Sequence, residues 1–327
     1  MQRSVIHESF RLAEAFTISR GSRTRADVLT VRLSESGITG WAECVPYARY
    51  GESVESVCAQ ITSLPDSFDR ASLARLLPAG AARNAVDCAL WDLEAKQRGR
   101  TVWEVSGLSS LTRRAVPAPE PTAFTLSLGT PERMHEAAAR NKHRPILKIK
   151  LGTPEDLHRL EAVRRGAPGS RIIVDANEGW NEDTYRELLP RLTELGVELI
   201  EQPFPANEDT LLETIDRPIP VCADESCHDR GTLRSLVGKY DVINIKLDKT
   251  GGLTEAIELR REAESAGFAI MVGCMVGSSL AIAPAVLIAQ GVRYVDLDAP
   301  LLLAEDRATP LIYDTRGVHP PTSGLWG

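Results

Sequence analysis

The chain has 327 residues, 43% hydrophobic and 25% charged, which is the composition of an ordinary globular protein. A formal net charge of −7 argues against a nucleic-acid-binding surface, and no run of about 18 apolar residues predicts a membrane span. Charges throughout the first residues are unlike a signal peptide, and six scattered cysteines without a C-x-x-C pair indicate reduced thiols. We therefore expect a cytoplasmic protein whose partners include neither nucleic acid nor a membrane.

The N-terminal third has the pattern of an α+β domain. Residues 4–16 and 26–33 read as strands, and the turn "ESGITG" followed by "WAECVP" completes an antiparallel meander. The region 53–107 reads as helices, among them "NAVDCALWDLEAKQRG", which has helical spacing and ends on a glycine suited to a C-terminal cap. The proline-rich "VPAPEP" then predicts a linker.

After the linker the pattern changes to alternating strands and helices. Eight short branched-apolar runs recur at intervals of about 25 residues, with helical segments between them. Eight such units predict a parallel β/α barrel, and an open doubly wound sheet is the structural alternative. No G-x-G-x-x-G follows the first strand, which argues against a dinucleotide-binding version of that sheet.

Acidic residues end three consecutive predicted strands: Asp175, Glu201 and Asp224. In a parallel barrel these ends converge on one mouth, where three carboxylates stay ionised only if a cation compensates them. Hard oxygen ligands suit Mg²⁺, with Mn²⁺ as the alternative. Any single acid is more simply explained as a helix cap, but three at matching positions favour a metal site. Asn177 and Glu225 are candidates for orienting these ligands.

Lysines end the strands on either side of the acids. Lys148 and Lys150 lie two apart on the preceding strand and therefore share a face, and Lys246 lies on the following strand. The alternative for Lys246 is a solvated strand end paired with Asp248. A desolvated lysine near other cations has a lowered pKa and can act as a general base. Two lysines on opposite sides of a metal predict proton transfer at a carbon next to a carboxylate, hence racemisation or epimerisation.

The lysine pair, the three acids and the later lysine together resemble the enolase superfamily, in its muconate-lactonising-enzyme-like subgroup, over essentially the whole chain. The resemblance implies a modified TIM barrel, (β/α)7β, over residues 116–302. It also implies an α+β capping domain over residues 1–115, completed by a C-terminal segment, 303–327, that returns to it.

The resemblance also implies a role for each motif residue. Lys150 is one base and Lys246 the other, while Lys148 holds the substrate carboxylate and favours the neutral form of Lys150. One Mg²⁺ per subunit is implied, held by the three acids. Barrels of this family commonly assemble, so a homo-oligomer is expected.

Within the subgroup the chain most resembles the dipeptide epimerases, with L-Ala-D/L-Glu as the implied substrate and murein peptide turnover as the implied setting. Asp296 and Asp298 in "RYVDLDAP" match the D-x-D that binds the substrate's α-ammonium. In "TISRGSRT" one arginine is expected to bind the side-chain carboxylate of the second residue. Arg23 is preferred for this role, with Arg20 and Arg25 as alternatives.

Two loops are expected to shape the substrate cavity. The capping loop "VPYARYGES" contributes Tyr50, and "VGCMVGSS" contributes Cys274 and Met275, with the cysteine packing rather than reacting. Another dipeptide epimerase, an N-acylamino acid racemase and o-succinylbenzoate synthase are the alternatives within the subgroup. The D-x-D argues against the last two, whose substrates carry no free ammonium. A non-catalytic barrel would require broken metal ligands, and none is broken here.

Overall fold

The computed structural model describes all 327 residues and begins with an antiparallel sheet. Its three strands pair in chain order: β1 (Gln2–Ile18), β2 (Gly21–Glu35) and β3 (Ile38–Cys44). The β1–β2 register shifts between Arg11 and Phe16, where extra residues of β1 bulge out. The hairpin tip beyond this bulge carries the arginine-rich loop.

Five helices complete the N-terminal region: α1 (Val54–Thr62), α2 (Arg70–Leu76), α3 (Ala81–Arg98), α4 (Val102–Val105) and α5 (Leu108–Thr112). Helix α3 packs on the sheet and ends at Gly99, whose φ of 60° is the left-handed cap that the sequence predicts. Helix and sheet approach closely at Gly40, where an added Cβ would lie 2.3 Å from the backbone nitrogen of Leu93. The predicted meander and helices are therefore both present.

Eight parallel strands follow, each hydrogen-bonded to the next in chain order: β4 (Phe124–Leu126), β5 (Ile146–Lys150), β6 (Arg171–Asp175), β7 (Val197–Glu201), β8 (Val221–Ala223), β9 (Val242–Ile245), β10 (Ala269–Gly273) and β11 (Tyr294–Asp296). The first and last strands meet where the Ala123 backbone N–H donates to the Val295 carbonyl at 2.8 Å. This order confirms the barrel and excludes the doubly wound alternative, in which the strand order reverses.

Seven helices lie in the crossovers: α6 (Pro131–Asn141), α7 (Asp156–Gly166), α8 (Glu182–Glu194), α9 (Leu233–Leu236), α10 (Leu247–Thr250), α11 (Leu253–Ser265) and α12 (Ser279–Ile288). Between β7 and β8 the structure has only a short 3₁₀ helix, Thr210–Glu213, so the prediction of a helix in every crossover is wrong there.

The barrel interior is apolar at one end and polar at the other. Eight side chains, one on or next to each barrel strand, form a separate buried cluster toward the N-terminal ends of the strands. They are Ala123, Ile146, Ile173, Leu199, Cys222, Val242, Met271 and Tyr294. Because side chains alternate along a strand, the residue two positions further on also points inward. Those next positions include Lys148 of β5 and the acids that end β6 and β7, and Lys150 occupies the following inward position of β5. The fold thus places them above an apolar plug at the C-terminal mouth.

The C-terminal segment forms the small hairpin β12 (Tyr313–Asp314) and β13 (Gly317–Val318) and then reaches the N-terminal region. Trp326 is fully buried and its indole N–H donates to the Cys88 carbonyl at 3.2 Å. The Leu325 carbonyl accepts from the indole of Trp41 at 2.7 Å. These contacts agree with the predicted return of the segment, while the domain boundaries after residues 115 and 302 stay predictions. None of the helices combines the length and the hydrophobicity needed to cross a membrane.

A buried acid joins the N-terminal region to the barrel. Asp248 of α10 accepts hydrogen bonds from the Val45 backbone N–H at 3.1 Å and from the Asn84 side chain at 2.8 Å. Burial outweighs these hydrogen bonds and raises the pKa of Asp248 to about 7. The interface therefore contains a carboxyl group that binds a proton more readily in the folded chain than in the unfolded chain.

We expect the variant Asp248→Asn to lose part of the pH dependence of stability. Because the pKa of the folded state is the higher one, the native chain binds the extra proton between about pH 4 and 7, and its free energy of unfolding falls as the pH rises through that window. An uncharged amide removes as much as ~4 kcal/mol of that decline. Urea unfolding at pH 5, 6, 7 and 8 measures it, with exposed Asp183→Asn as the control. Parallel stability curves for wild type and Asp248→Asn would contradict the assignment.

Candidate active site at the barrel mouth

Strand register brings the predicted catalytic residues to one height. Lys150 pairs with Asp175 across β5 and β6, and Asp175 pairs with Glu201 across β6 and β7. Asp224 lies one residue beyond β8, and Lys246 lies one residue beyond β9. All five therefore sit at or just past the C-terminal ends of successive parallel strands.

The acids and lysines form one buried ionic network. The Nζ atom of Lys148 lies 2.7 Å from Asp296, 2.6 Å from Glu201 and 3.1 Å from Asp175. A second pair joins Lys150 to Asp175 at 2.6 Å, and a third joins Lys246 to Asp224 at 2.7 Å. The three predicted metal ligands are at most 2% exposed, so their charges depend on these partners rather than on water.

The three acids differ in how well their charge is compensated. Burial opposes ionisation of Asp175, but Lys150 and Lys148 outweigh it and hold its pKa below the usual range. Burial acts on Asp224 in the same way, and nearby lysines lower its pKa well below the usual value. For Glu201, burial and the neighbouring Asp175 prevail and raise the pKa to about 7. Of the three acids, Glu201 is therefore the one whose negative charge is least stabilised by its neighbours.

The donor set fits a hard divalent cation. Glu201 Oε2 is buried and accepts no hydrogen bond of acceptable geometry, although Lys148 Nζ lies close to it. Three carboxylates from neighbouring strands offer the all-oxygen ligation that Mg²⁺ prefers. Lysine ammonium groups lie between the acids in this structure, and no three acidic, histidine or cysteine side chains are arranged so that they could hold a metal ion together. The assignment of Asp175, Glu201 and Asp224 as metal ligands stays a prediction.

For Lys246 and Lys148, the charges that the structure contains oppose the predicted lowering of the pKa. Burial disfavours the ammonium of Lys246, but Asp224 and Glu201 outweigh it and raise the pKa well above its usual value. Lys148 behaves in the same way, with Asp296 as its strongest partner. The prediction counted neighbouring cations and omitted the carboxylates in direct contact with each lysine.

Asp296 and Asp298 occupy different surroundings, which the D-x-D spacing does not predict. Asp296 Oδ2 accepts from Lys148 at 2.7 Å, whereas Asp298 accepts from the Thr125 backbone N–H at 2.6 Å. Burial and the charge of Asp296 raise the pKa of Asp298 to about 7. Neither acid is among the residues that line the cavity described next. Their role as an ammonium receptor stays a prediction.

A cavity of about 440 Å³ opens between the N-terminal region and the barrel mouth. The barrel contributes the two proposed bases, Lys150 and Lys246, to its wall, together with Asp224. The predicted capping-loop, orienting and β10-loop residues also line it: Arg23, Tyr50, Asn177, Glu225, Cys274 and Met275. Tyr50 packs edge-on against His228 at 4.7 Å between ring centroids, which holds the capping loop against the barrel.

The structure separates the three candidate arginines. Arg20 donates to the Asn177 carbonyl at 2.7 Å and to Glu225 at 2.8 Å, so its charge is already paired. Arg25 donates to Ser9 and lies outside the cavity wall. Arg23 lines the cavity, forms no ion pair and stacks 5.1 Å above the ring of Tyr47. Of the three, Arg23 offers an unpaired guanidinium to a ligand.

Two site residues escaped the sequence prediction. Lys249 is 1% exposed, and its Nζ donates to the Asp224 carbonyl at 2.5 Å and to Asp224 Oδ1 at 2.6 Å. Asn244 donates to Glu201 Oε1 at 2.8 Å. Asn244 lies two residues before Lys246 on the same inward face, so strand periodicity was a signal for it. Lys249 enters from the short helix α10, and no strand pattern marks it.

A larger cavity, of about 570 Å³, lies on the other side of Phe16, which lines both. Its wall comes mainly from β1, β4 and α6 and contains none of the acids or lysines of the barrel mouth. Size alone would select this cavity, but the clustered ionisable groups belong to the smaller one.

The fold and site together define a capped β/α-barrel enzyme with an acid and lysine cluster at its mouth. Residues 1–107 match the family model of the mandelate racemase / muconate lactonizing enzyme N-terminal domain, and residues 132–323 match that of enolase C-terminal domain-like proteins. The chain therefore belongs to the enolase superfamily, in its mandelate racemase / muconate lactonizing enzyme family. The predicted family and fold class are confirmed.

Two characterised relatives span nearly the whole chain. The L-Ala-D/L-Glu epimerase of Escherichia coli (strain K12) is 44% identical over 321 residues, covering 96% of this chain and 98% of that protein. The N-acetyl-D-glutamate racemase of a Pseudoalteromonas species is 48% identical over 306 residues, covering 92% of this chain and 95% of that protein. Both relatives are isomerases by name, which confirms the predicted enzyme class.

Solved structures show the same fold with ligands bound. An enolase family member from Agrobacterium tumefaciens, with homology to dipeptide epimerases, has a TM-score of 0.96 and 51% identity, covers 99% of each chain, and holds sodium and L-Ala-L-Glu. A dipeptide epimerase from Enterococcus faecalis V583, complexed with Mg and L-Leu-L-Tyr, has a TM-score of 0.89 and 26% identity, covering 99% of this chain and 98% of that chain. Metal and dipeptide thus occur together in proteins of this fold.

Proposed function

We propose that the chain is a Mg²⁺-dependent dipeptide epimerase that inverts the α-carbon of the C-terminal residue of L-Ala-D/L-Glu. One observation carries the proposal: Lys150 and Lys246 line the same cavity from strands that β6, β7 and β8 separate. The two ammonium groups thus approach a ligand from different sides of the acid cluster. The epimerase relative and the dipeptide-bound neighbour support the choice of substrate.

The chemistry follows from the two lysines. A hydrogen next to a carboxylate is a very weak acid, so its removal needs a base placed against it and stabilisation of the resulting charge. Mg²⁺ held by Asp175, Glu201 and Asp224 would supply that stabilisation at the substrate carboxylate. Lys246 and Lys150 both face the cavity, so one can deliver a proton while the other removes one. In the reverse direction the two lysines exchange roles.

In this proposal the cap gives the cavity its selectivity. Tyr50 and Tyr47 both line the cavity, and their ring centroids lie 5.5 Å apart. Arg23 presents its unpaired guanidinium to the cavity and suits the side-chain carboxylate of a C-terminal glutamate. Cys274 lines the wall and donates to the Asp296 carbonyl at 3.4 Å, a packing contact rather than the environment of a nucleophile.

Racemisation of an N-acylglutamate is the second candidate function. It is favoured by the position of Asp296 and Asp298 outside the cavity wall, because neither acid of the D-x-D then faces a free ammonium in the cavity. The relative that acts on N-acetyl-D-glutamate supports it too. Both candidates share the lysines, the metal and the glutamate carboxylate, and differ only in the acyl group. No observation favours o-succinylbenzoate synthase.

Deuterium exchange distinguishes these candidates. The chain is incubated in D₂O with Mg²⁺ and either L-Ala-L-Glu, L-Ala-D-Glu or the two N-acetylglutamate enantiomers. We expect deuterium at the glutamate α-carbon and formation of the opposite epimer from both dipeptides. Faster inversion of N-acetylglutamate would establish the second candidate, and absence of exchange in all four substrates would refute both.

The variant Arg23→Met is expected to lose selectivity for an acidic second residue. Removing a charged hydrogen-bond donor of about 1.5–3 kcal/mol lowers kcat/KM for L-Ala-Glu by roughly 10–100-fold. The neutral dipeptide L-Ala-Leu should be affected less than threefold or so, since it offers nothing to the guanidinium. Arg25→Met is the matched control, because Arg25 pairs with Ser9 away from the cavity. Equal losses for both substrates would contradict the role of Arg23.

Four further parts of the proposal stay predictions from the sequence. They are a role in murein peptide turnover, a cytoplasmic location, assembly into a homo-oligomer and the replacement of Mg²⁺ by Mn²⁺.

A further inference from the structure

The backbone of Gln202 leaves the barrel ladder in an unusual way. Its N–H donates to the Cys222 carbonyl at 2.9 Å, which is the last rung between β7 and β8. In a regular parallel ladder the carbonyl of the same residue would accept from the N–H of Asp224, two residues further along β8. Instead φ at Gln202 is 34°, its carbonyl accepts from the Glu178 N–H on the β6 side at 2.9 Å, and Pro203 follows.

The side chain of Gln202 replaces the missing rung. Its Oε1 accepts from the Asp224 backbone N–H at 2.8 Å and from the Ser226 backbone N–H at 3.1 Å. Its Nε2 donates to the Phe204 carbonyl, the Ser226 hydroxyl and the Tyr240 hydroxyl at 2.9–3.0 Å. Two backbone donors at the oxygen determine the orientation of the amide. The side chain is fully buried, and every hydrogen-bonding direction it has is used.

A second layer holds the amide in place. The hydroxyls of Ser226 and Tyr240 each donate to Asp209 Oδ2, at 2.7 and 2.8 Å, and are thereby turned to accept from Gln202. Asp209 Oδ1 accepts from Lys239 at 2.6 Å. Left-handed backbone at a non-glycine residue is strained and persists only where its surroundings determine it. Here the network lies directly behind the acids of the site.

We propose that Gln202 is a positioning residue that sets the place of Asp224 for metal binding and couples it to Glu201, the residue before it. The inference rests on the proposed function, in which Asp224 and Glu201 are ligands of the same Mg²⁺. Gln202 itself does not line the cavity, so it acts through Asp224. Its partners on the β8 side are backbone N–H groups, so its removal shifts the main chain that carries the ligand.

The test compares Gln202→Met with Gln290→Met. Gln290 is also fully buried, and its amide makes four hydrogen bonds, to Arg114, to Val286 and to both backbone groups of Ala118. It lies between α12 and β11, at the opposite end of the barrel from the site. Both variants should lose thermal stability to a similar degree, since each loses a buried amide of the same size.

Isothermal titration of Mg²⁺ into the full chain without substrate gives the decisive readout. We expect Gln202→Met to raise the Mg²⁺ dissociation constant by 10–100-fold or so, the usual effect of removing a group that orients a ligand, and Gln290→Met to change it by less than about twofold. An unchanged dissociation constant in Gln202→Met, or equal weakening in both variants, would overturn the inference.

If the proposed function is wrong, the result differs, because the wild-type chain itself does not bind Mg²⁺. That result would also refute the proposed role of Gln202. If Gln202→Met does not fold, Tyr240→Phe serves instead, since it removes one acceptor of the Gln202 amide. That variant should weaken Mg²⁺ binding by about threefold, the effect of one neutral hydrogen bond. Wild-type affinity in folded Tyr240→Phe would overturn the inference.

Discussion

Replacing either Lys150 or Lys246 by alanine is expected to lower the rate of epimerisation by about 10³-fold or more. Both lysines line the cavity, and no other lysine does. General acid–base catalysis by one group contributes about 10²–10⁴. Inversion needs a proton removed on one face and returned on the other, so the loss of either group stops the reaction.

The two variants should nevertheless differ in D₂O. Each retains one lysine and should exchange the α-hydrogen of one epimer slowly without converting it to the other. Mass spectrometry and chiral chromatography of both epimers measure exchange and inversion separately. Lys96→Ala is the control, because Lys96 pairs with Asp92 far from the cavity. Full inversion by either single variant would show that the two-base mechanism is wrong.

Replacing Glu201 by glutamine should abolish Mg²⁺-dependent activity, with a loss of about 10³-fold or more, equal to that caused by a chelator. Glu201 is the least compensated acid of the cluster, with a buried oxygen that accepts no hydrogen bond. Glutamine keeps the shape and an acceptor for Asn244 but removes the negative charge that a cation requires. Wild type treated with a chelator should regain activity when Mg²⁺ is restored, and Glu201→Gln should not.

A binding measurement separates metal affinity from catalysis in this prediction. Mg²⁺ should raise the unfolding temperature of wild type and leave that of Glu201→Gln unchanged. Burial and Asp175 raise the pKa of Glu201 to about 7, so Mg²⁺ affinity should fall as the pH decreases through that value and protons compete. Glu198→Gln, on the same strand but partly exposed and paired with Arg171, is the matched control. A normal Mg²⁺ response in Glu201→Gln would remove Glu201 from the ligand set.

Most of the fold follows from local patterns. Eight branched-apolar runs at regular intervals predict a parallel barrel because each unit must bury one strand between the barrel interior and a helix. The position of Asp175, Glu201 and Lys150 follows as well, since parallel strand ends converge whatever the intervening chain does. The crossover between β7 and β8 was not predicted correctly, because the interval between the strands has an ordinary length and does not reveal that it contains only a 3₁₀ turn.

The pKa values and ion pairs of the site were predicted less well from the sequence. Lysine pKa values depend on distances of 2.6–3.1 Å to carboxylates on other strands, which no spacing along the chain specifies. The spacing of Asp296 and Asp298 predicts that they share a face of the strand. In the structure Asp296 accepts a hydrogen bond from Lys148, whereas Asp298 accepts one from a backbone N–H. The choice of Arg23 over Arg20 also depends on a partner, since Arg20 is neutralised by Glu225 more than 200 positions away.

By itself, the sequence determined the barrel, the cap and the set of acids and lysines at the mouth, because periodicity and strand ends are properties of neighbouring residues. Only the tertiary structure decided which charges are paired, which arginine is unpaired and how Gln202 holds Asp224. The physical reason is how far apart in the sequence the interacting residues lie. A side chain's alternation is set by its own strand, whereas its pKa and its hydrogen bonds are set by atoms that folding brings from elsewhere in the chain.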